Sequence, residues 1–242
     1  MKIHIGTSGW IYPHWRGCFY PEKLPQKSWF QYYSRYFSTV EINNTFYRLP
    51  SESAVEGWQQ QAPNDFIYAV KASRFITHVK KLKEPEEGLR NFMERINLLA
   101  VHLGPVLFQL PPSWRPNLQR FETFLQALTD FGSRLWVFEF RQPDWFARDI
   151  LDLLTRFKVG FCIHDLAGLH CPIAVTAKYV YLRFHGPSGA YHGQYGKEAL
   201  QGWAEFIKEQ AKEGYEIYAY FNNDIDGAAV EDARTLKELL GV

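Results

Sequence analysis

The hydrophobic pattern of this chain is a series of short runs rich in Val, Ile, Phe and Tyr, residue types that favour β-strands. Several runs are apolar at nearly every position, which is typical of strands that are covered by helices. The pattern predicts eight strands, at about residues 2–7, 39–44, 66–71, 105–110, 135–141, 158–164, 178–185 and 215–221.

Stretches with helical periodicity separate most of these runs. Apolar residues recur every three or four positions from Leu89 to Leu103, from Phe121 to Leu128 and from Leu200 to Ile207, as one face of an amphipathic helix requires. Asp144 and Asp224 each stand before a helical stretch, and we predict both as N-caps.

Eight strand-then-helix units in 242 residues match the size and repeat number of a TIM-type barrel. We therefore predict an α/β fold, a (β/α)8 barrel with eight parallel strands, in a single domain of residues 1–242. The sixth helix is expected to be weak or short, because residues 165–177 have no clear helical period. A doubly wound open sheet is the alternative.

Polar residues follow the strand runs, and they all come at the same end of the strands. They are Glu41, Asn43, Lys71, Gln109, Glu139, Arg141, His164, Asp165, Arg183, His185, Asn222 and Asp224. Residues two apart on a strand share a face, so the charged residues within one run point the same way. In a (β/α)8 barrel this edge carries the active site. The structural alternative is a buried network of ion pairs that fixes the strand register.

Carboxylates and imidazoles of this set are candidates for catalysis. We predict catalytic roles for Glu41, Glu139, His164 and Asp165. Glu41 and Glu139 suit a general acid and base, or a nucleophile and acid, and their separation would decide between retaining and inverting chemistry if the substrate were a glycoside.

Cations of the same set indicate an anionic ligand. Guanidinium groups bind carboxylate and phosphate through paired hydrogen bonds. The predicted ligand-binding cations are Lys71, Arg74, Arg141 and Arg183. Polar residues expected to orient the ligand are Asn43, Gln109, His185 and Asn222. The alternative is that the cations only neutralise neighbouring carboxylates.

A catalytic metal is considered but not favoured. Glu139, His185 and Asp224 offer oxygen and nitrogen donors for a divalent cation, yet no HExxH-like spacing is present. The cofactor is left open. Three cysteines without CxxC spacing argue against a structural zinc site and against a disulfide framework.

Three connections at the predicted carboxyl edge are long, at residues 8–27, 72–85 and 186–196. The first contributes the aromatic ligand-binding candidates Trp10, Tyr12 and Trp15, which would stack on a base or sugar or form a satellite core. The second is basic and suits a phosphate backbone, although its distal lysines are also typical of a solvated face. The third is glycine-rich and suits phosphate binding by backbone N–H groups.

Composition narrows the class of partner. Twenty-seven basic and 26 acidic residues leave a formal charge of +1, so affinity for nucleic acid must come from a local patch. The segment MKIHIGTSGW lacks the features of a signal peptide, and no run approaches the roughly 18 apolar residues of a membrane helix. We predict a cytoplasmic protein with no membrane partner, and leave the oligomeric state open.

Several segments together resemble the YecE-like family, also called domain of unknown function number 72. They are IGTSGWIYPHWRGCFYP, STVEINNTFYRLP, YAVKASRFITH, LGPVLFQLPP, VFEFR, CIHDLAG, YLRFHGP and YAYFNND. The resemblance runs from end to end and implies a TIM-type barrel with the matched polar residues in a pocket at its C-terminal face. It implies no established activity. The barrel is similar to those of endonuclease IV and xylose isomerase-like proteins, a likeness that implies nucleic-acid binding as one candidate role.

Three functional hypotheses follow from the sequence. The first is an enzyme, of hydrolase type, that acts on an anionic, phosphate-containing ligand, with nucleic acid as one candidate. The second is a non-catalytic nucleic-acid-binding protein. The third is a carbohydrate-active hydrolase that uses paired glutamates.

Overall fold

The computed structural model of this chain describes residues 2–189 and 191–242. Its eight parallel strands form one sheet in the order β1-β8-β7-β6-β5-β4-β3-β2, a nearly closed TIM-type barrel with helices between strands, as predicted. The strands are β1 Ile3–Thr7, β2 Thr39–Ile42, β3 Ile67–Lys71, β4 Leu103–Gln109, β5 Trp136–Glu139, β6 Gly160–Asp165, β7 Tyr179–Phe184 and β8 Glu216–Phe221.

The α-helices follow the predicted periodicity. They are α1 Trp29–Tyr33, α2 Asn44–Tyr47, α3 Glu52–Gln61, α4 Pro85–Ile96, α5 Leu118–Thr129, α6 Arg148–Arg156, α7 Gly196–Lys212 and α8 Ala228–Leu240. In α4 the buried apolar residues are Leu89, Phe92, Met93 and Ile96, spaced by three and four as one helix face demands. Asn117 caps α5, because its side chain accepts a hydrogen bond from the backbone N–H of Arg120.

The two predicted N-caps are wrong. Asp144 lies inside a 3-10 turn, Pro143–Phe146, and α6 begins only at Arg148 after Ala147. Asp224 precedes a second 3-10 turn and makes no side-chain cap, and α8 begins at Ala228. In both cases a tight turn comes between the acidic residue and the α-helix.

The sixth unit contains no helix within the described residues between β6 and β7. A side chain ties part of this connection to the sheet. The Thr176 hydroxyl donates to the carbonyl of Val159 at 2.6 Å and accepts from the N–H of Phe161 at 2.8 Å. An extended segment therefore occupies the place where the other units carry a helix.

The chain packs as two compact units. The first comprises residues 1–41, 163–171 and 178–242, and the second comprises residues 42–162 and 172–177. In the first unit β8 pairs with β1 from Ile3 opposite Ile217, and with β7 from Tyr179 opposite Glu216. Gly6 of β1 allows a close approach there, because a Cβ on it would lie 2.3 Å from the carbonyl oxygen of Thr39.

In the second unit β3, β4, β5 and β6 pair in sequence order. The core beside them is aromatic: Phe108 stacks on Phe138 at 5.2 Å between ring centroids, and Phe140 stacks on Trp145 at 5.0 Å. Stacked and edge-on rings of this kind add about 0.5–1.5 kcal/mol per pair beyond their buried area.

Among the described residues, no helix combines the length and the apolar character that crossing a bilayer requires.

We expect Gly6→Ala to destabilise the protein by about 1–3 kcal/mol, because the added methyl group meets a backbone oxygen that cannot rotate away. The control is Gly202→Ala in α7, where a Cβ has no atom within 4 Å and should stabilise the protein by about 0.5–1 kcal/mol. Urea unfolding measures both. Equal effects of the two substitutions would contradict the close packing at Gly6.

Candidate functional site

Glu41, at the end of β2, is a carboxylate of the first unit that accepts hydrogen bonds from three side chains. Its Oε1 accepts hydrogen bonds from Arg183 Nη2 at 2.7 Å and from the Ser8 hydroxyl at 2.7 Å. Its Oε2 accepts from the Tyr181 hydroxyl at 2.6 Å. Glu41 and Arg183 are both fully buried, so a closely paired guanidinium offsets the cost of burying this charge.

The same contacts restrict what Glu41 can do. Three donors already occupy its two oxygens, and burial keeps its charge away from solvent. Burial raises the pKa of Tyr181, and the Glu41 charge raises it further, so the phenol remains a hydrogen-bond donor. The arrangement suits a framework that joins residues at the ends of β1, β2 and β7.

The hydroxyl groups of Tyr33, Thr39 and Tyr220 form a second set of hydrogen bonds in the same unit. The Tyr33 hydroxyl accepts from the backbone N–H of Thr7 at 3.0 Å and donates to the carbonyl of Thr39 at 3.0 Å. The Tyr220 and Thr39 hydroxyls lie 2.7 Å apart. Burial raises the pKa of Tyr33 and of Tyr220, so these phenols also remain protonated.

The sequence analysis missed Tyr181 as a partner of Glu41. A signal was present, because Tyr181, Arg183 and His185 alternate along β7 and share one face. A tyrosine inside a β-prone run is usually read as a core residue. The hydrogen bond of its hydroxyl group becomes evident only when the strand that carries Glu41 has been placed.

His185, His164, Asp165 and Asn222 come together in the first unit. The Asn222 amide nitrogen lies 3.1 Å from His185 Nδ1, and the His185 and His164 rings are 6.0 Å apart. The backbone N–H of His185 donates to the Asp165 carbonyl at 2.9 Å. Both histidines are buried. Two imidazoles and an amide at adjacent strand ends are suitable for moving or holding a proton, whereas the Asp165 carboxylate interacts with the Tyr195 hydroxyl.

Asp224 lies in a second cluster of the first unit. Its backbone carbonyl accepts from Trp15 Nε1 at 2.8 Å and lies 2.8 Å from His14 Nε2. Burial raises the pKa of the Asp224 carboxyl group, while His14 and His192 oppose that change.

Trp10 and Trp15 are buried and Tyr12 is partly exposed, which favours a satellite core for the first loop.

The long connection after β7 is anchored by Asp232 of α8. Its carboxylate accepts from the backbone N–H of Tyr195 at 3.0 Å and of Gly196 at 3.2 Å, where α7 begins. The Asn223 amide donates to Asp232 and to the Gly193 carbonyl, both at 2.8 Å. The sequence analysis missed this anchor, although an aspartate on the apolar face of α8 was a visible signal. Ala190 of the connection lies outside the described residues.

In the second unit, Glu139 at the end of β5 forms an ion pair with Arg141. The Glu139 side chain is fully buried and that of Arg141 nearly so. Gln109, at the end of β4, donates from its amide to the Leu110 carbonyl at 3.1 Å. Asn43 follows β2, and its buried Oδ1 has no hydrogen-bond partner among the described residues.

Lys71 and Arg74 lie beside a histidine that the sequence analysis did not select. The Lys71 ammonium is 4.3 Å from the centroid of the Phe46 ring, and His78 packs edge-on against the same ring at 4.9 Å. Burial lowers the pKa of His78 to about 4, and the charges of Lys71 and Arg74 lower it further. His78 is therefore neutral at pH 7, in a positive field produced by two cations.

Glu139, His185 and Asp224 were predicted as weak candidates for metal ligands. None of them belongs to a group of three possible metal ligands among the described residues. Across residues 2–189 and 191–242, no three His, Cys, Asp or Glu side chains are grouped so that they could hold a metal ion.

The fold and the polar strand ends define this chain as a TIM-type (β/α)8 barrel protein. It belongs to the family described as "Protein of unknown function DUF72", whose family model matches residues 4–242. The predicted family resemblance is thus confirmed.

The similar proteins have names or titles that state a family and no activity. UPF0759 protein YunF of Bacillus subtilis (strain 168) is 24% identical over 271 residues, which cover 99% of this chain and 95% of YunF. UPF0759 protein YecE of Escherichia coli (strain K12) is 31% identical over 147 residues, 60% of this chain and 51% of YecE. The crystal structure of a DUF72 family protein from Thermotoga maritima MSB8 is 28% identical, with a TM-score of 0.83 over 100% of both chains.

We expect Arg183→Met to destabilise the protein by about 3–5 kcal/mol, because it leaves the Glu41 carboxylate buried without its cation. Tyr181→Phe should cost about 1.5–3 kcal/mol, since it removes one hydrogen bond to a charged group. Urea unfolding provides the measurement.

The matched control is Arg148→Met, which breaks an exposed pair with Asp152 at 3.1 Å and should change stability by less than about 1 kcal/mol. If Arg183→Met cost no more than this control, the Glu41–Arg183 pair would not be the framework described.

Proposed function

We propose that this protein is an enzyme of hydrolase type that acts on a small anionic, phosphate-containing ligand. The observation that supports it most is the group of Lys71, Arg74 and His78, which we call the cationic cluster: Lys71 and His78 contact Phe46, and the charge of Arg74 acts on His78. Burial lowers the pKa of the His78 imidazole and the two cations lower it further, and a bound anion would relieve the part that the cations contribute.

The geometry of the cationic cluster suits an anion at the edge of the barrel. Lys71 ends β3, with its backbone carbonyl held at 2.6 Å by the Thr45 hydroxyl. Arg74 is exposed and directly precedes a π-helical turn, Phe75–Val79. Its guanidinium makes no ion pair with a carboxylate among the described residues, and guanidinium groups bind phosphate oxygens through paired hydrogen bonds.

The proposal gives Glu41, Arg183, Glu139 and Arg141 a positioning role, since each carboxylate is already paired with an arginine. His164, His185 and Asn222, which are grouped within the first unit, remain candidates for proton transfer in that unit taken by itself. The paired-glutamate hydrolase receives less support, because Glu41 and Glu139 are both fully buried in ion pairs. A reducing, cytoplasmic location is part of the proposal, and three cysteines, an odd number with no CxxC spacing, suit it.

Nucleic-acid binding is the second candidate, and a basic groove in the second unit favours it. The groove has a volume of about 560 Å³. Its lining consists of Val79, Lys80, Lys81, Lys83, Glu84, Trp114 and Arg120. Four cations against one carboxylate give a local positive charge in a protein that is neutral as a whole.

We expect sulfate, a dianion across the working pH range, to raise the pKa of His78 by about one unit at saturation, because it screens the two cations. The measurement is a histidine ring NMR titration with and without sulfate. Arg74→Gln should raise the pKa without sulfate and weaken sulfate binding, whereas Arg90→Gln on α4 should change neither. An unaltered His78 pKa in saturating sulfate would contradict the anion site.

The same titration fixes the sign of a pH effect on stability. An unfolded histidine titrates near pH 6.5 and the folded His78 near 4. Between these values the unfolded chain binds more protons, so stability falls as the pH falls through this window. His78→Gln should flatten the dependence.

For the second candidate, we expect Lys81→Gln/Lys83→Gln to weaken binding of a single-stranded oligonucleotide and to lower the slope of log affinity against log salt. Each lost phosphate contact reduces that slope by about 0.7. Lys208→Gln/Lys212→Gln on α7 makes the same charge change elsewhere and should have little effect. Gel shifts over a salt series provide the measurement, and no binding at low salt would reject nucleic acid as the ligand.

A further inference from the structure

A second cavity of the second unit lies between the π-helical turn and α4. It has a volume of about 500 Å³, which is within the range of small-molecule sites. Its lining consists of Leu49, Ser73, Phe75, Ile76, Lys80, Glu84, Glu86, Glu87, Gly88, Asn91 and Phe92. None of Lys71, Arg74 and His78 is among these residues, so the cavity is separate from the cationic cluster.

One part of the wall of this cavity is apolar. Ile76 and Phe92 are almost fully buried, whereas the Phe75 side chain is 48% exposed. A half-exposed phenyl ring beside a cavity offers a face that a ligand can cover, and burying it would be favourable. The apolar wall therefore suits a ligand with a hydrophobic body.

The rim of the cavity is acidic. Glu84 pairs with Lys80 at 2.9 Å, so these two charges largely cancel. Glu86 and Glu87 are exposed and form no ion pair with a Lys or Arg in the described part of the chain. The amino end of α4 contributes only about half a positive charge, which does not offset two carboxylates. The cavity thus keeps a net negative rim.

The backbone that forms one side of the cavity is held in uncommon conformations. Lys81, Leu82 and Glu84 all have positive φ angles, of 47°, 63° and 45°, which are unfavourable for residues with a side chain. Leu82 is buried and its N–H donates to the Ile76 carbonyl at 3.0 Å. This bond ties the segment to the π-helical turn that lines the cavity.

We propose that this cavity binds a small organic cation, an amine or guanidine attached to an apolar body of about 10–15 non-hydrogen atoms. The apolar body would lie against Ile76, Phe92 and Phe75. The cationic head would lie at Glu86 and Glu87, because the Lys80 ammonium already lies 5.9 Å from the centroid of the Phe75 ring. This site is independent of the anionic ligand proposed above.

The test is an amide NMR titration of the intact protein with 4-phenylbutylammonium, its neutral analogue 4-phenylbutanol and its anionic analogue 5-phenylpentanoate. We expect saturable shifts at Ser73, Gly88 and Asn91 with the ammonium compound. The alcohol should bind at least fivefold more weakly, and the carboxylate should not bind.

Two variants of α4 test whether the carboxylates of the cavity rim contribute to binding of the ammonium compound. Glu86→Gln/Glu87→Gln should weaken binding of the ammonium compound about five- to tenfold, because exposed charges at contact distance contribute modestly. Glu94→Gln, on the same helix but outside the lining, should leave the affinity unchanged. No saturable shifts, equal binding of the three probes, or equal effects of the two variants would each overturn the proposal.

Discussion

The interior of this protein is constrained by the cost of burying charge. Glu41 and Arg183 are fully buried side chains of opposite sign, and Arg183 Nη2 lies 2.7 Å from Glu41 Oε1. Removing two ions from water costs several kcal/mol each, so neither residue is tolerated here without the other. The hydroxyls of Ser8 and Tyr181 complete the coordination of the carboxylate. The ends of three strands are thereby fixed around one charge.

This constraint assigns different roles to residues that look alike in the sequence. Arg141 and Arg183 have carboxylate partners at contact distance and act in the framework. Arg74 is an exposed guanidinium, and with Lys71 it imposes a positive field on His78. We therefore propose that an anion binds at the cationic cluster and not at the buried arginines. A position at or just after a strand end does not by itself distinguish Arg141 and Arg183 from Lys71 and Arg74.

Most of the architecture was predictable because it depends on local patterns. The β-prone runs matched all eight strands to within a few residues, and the spacing of Leu89, Phe92, Met93 and Ile96 identified the buried face of α4. The predicted N-caps Asp144 and Asp224 failed because a 3-10 turn contains the first and follows the second, so that each α-helix begins a few residues later. The extended segment held by Thr176 had no sequence signal beyond its missing helical period. The pairing of Glu41 with Tyr181, across 140 residues, required the fold itself.

The central claim is that an anion binds at Lys71, Arg74 and His78 while the buried arginines stay with their carboxylates. Crystals soaked in tungstate test it directly, because tungsten gives a strong anomalous signal and tungstate resembles phosphate in charge and shape. The account predicts the strongest anomalous peak within contact distance of Arg74 and His78. A peak at Arg183 or Arg141, with none at the cationic cluster, would contradict it.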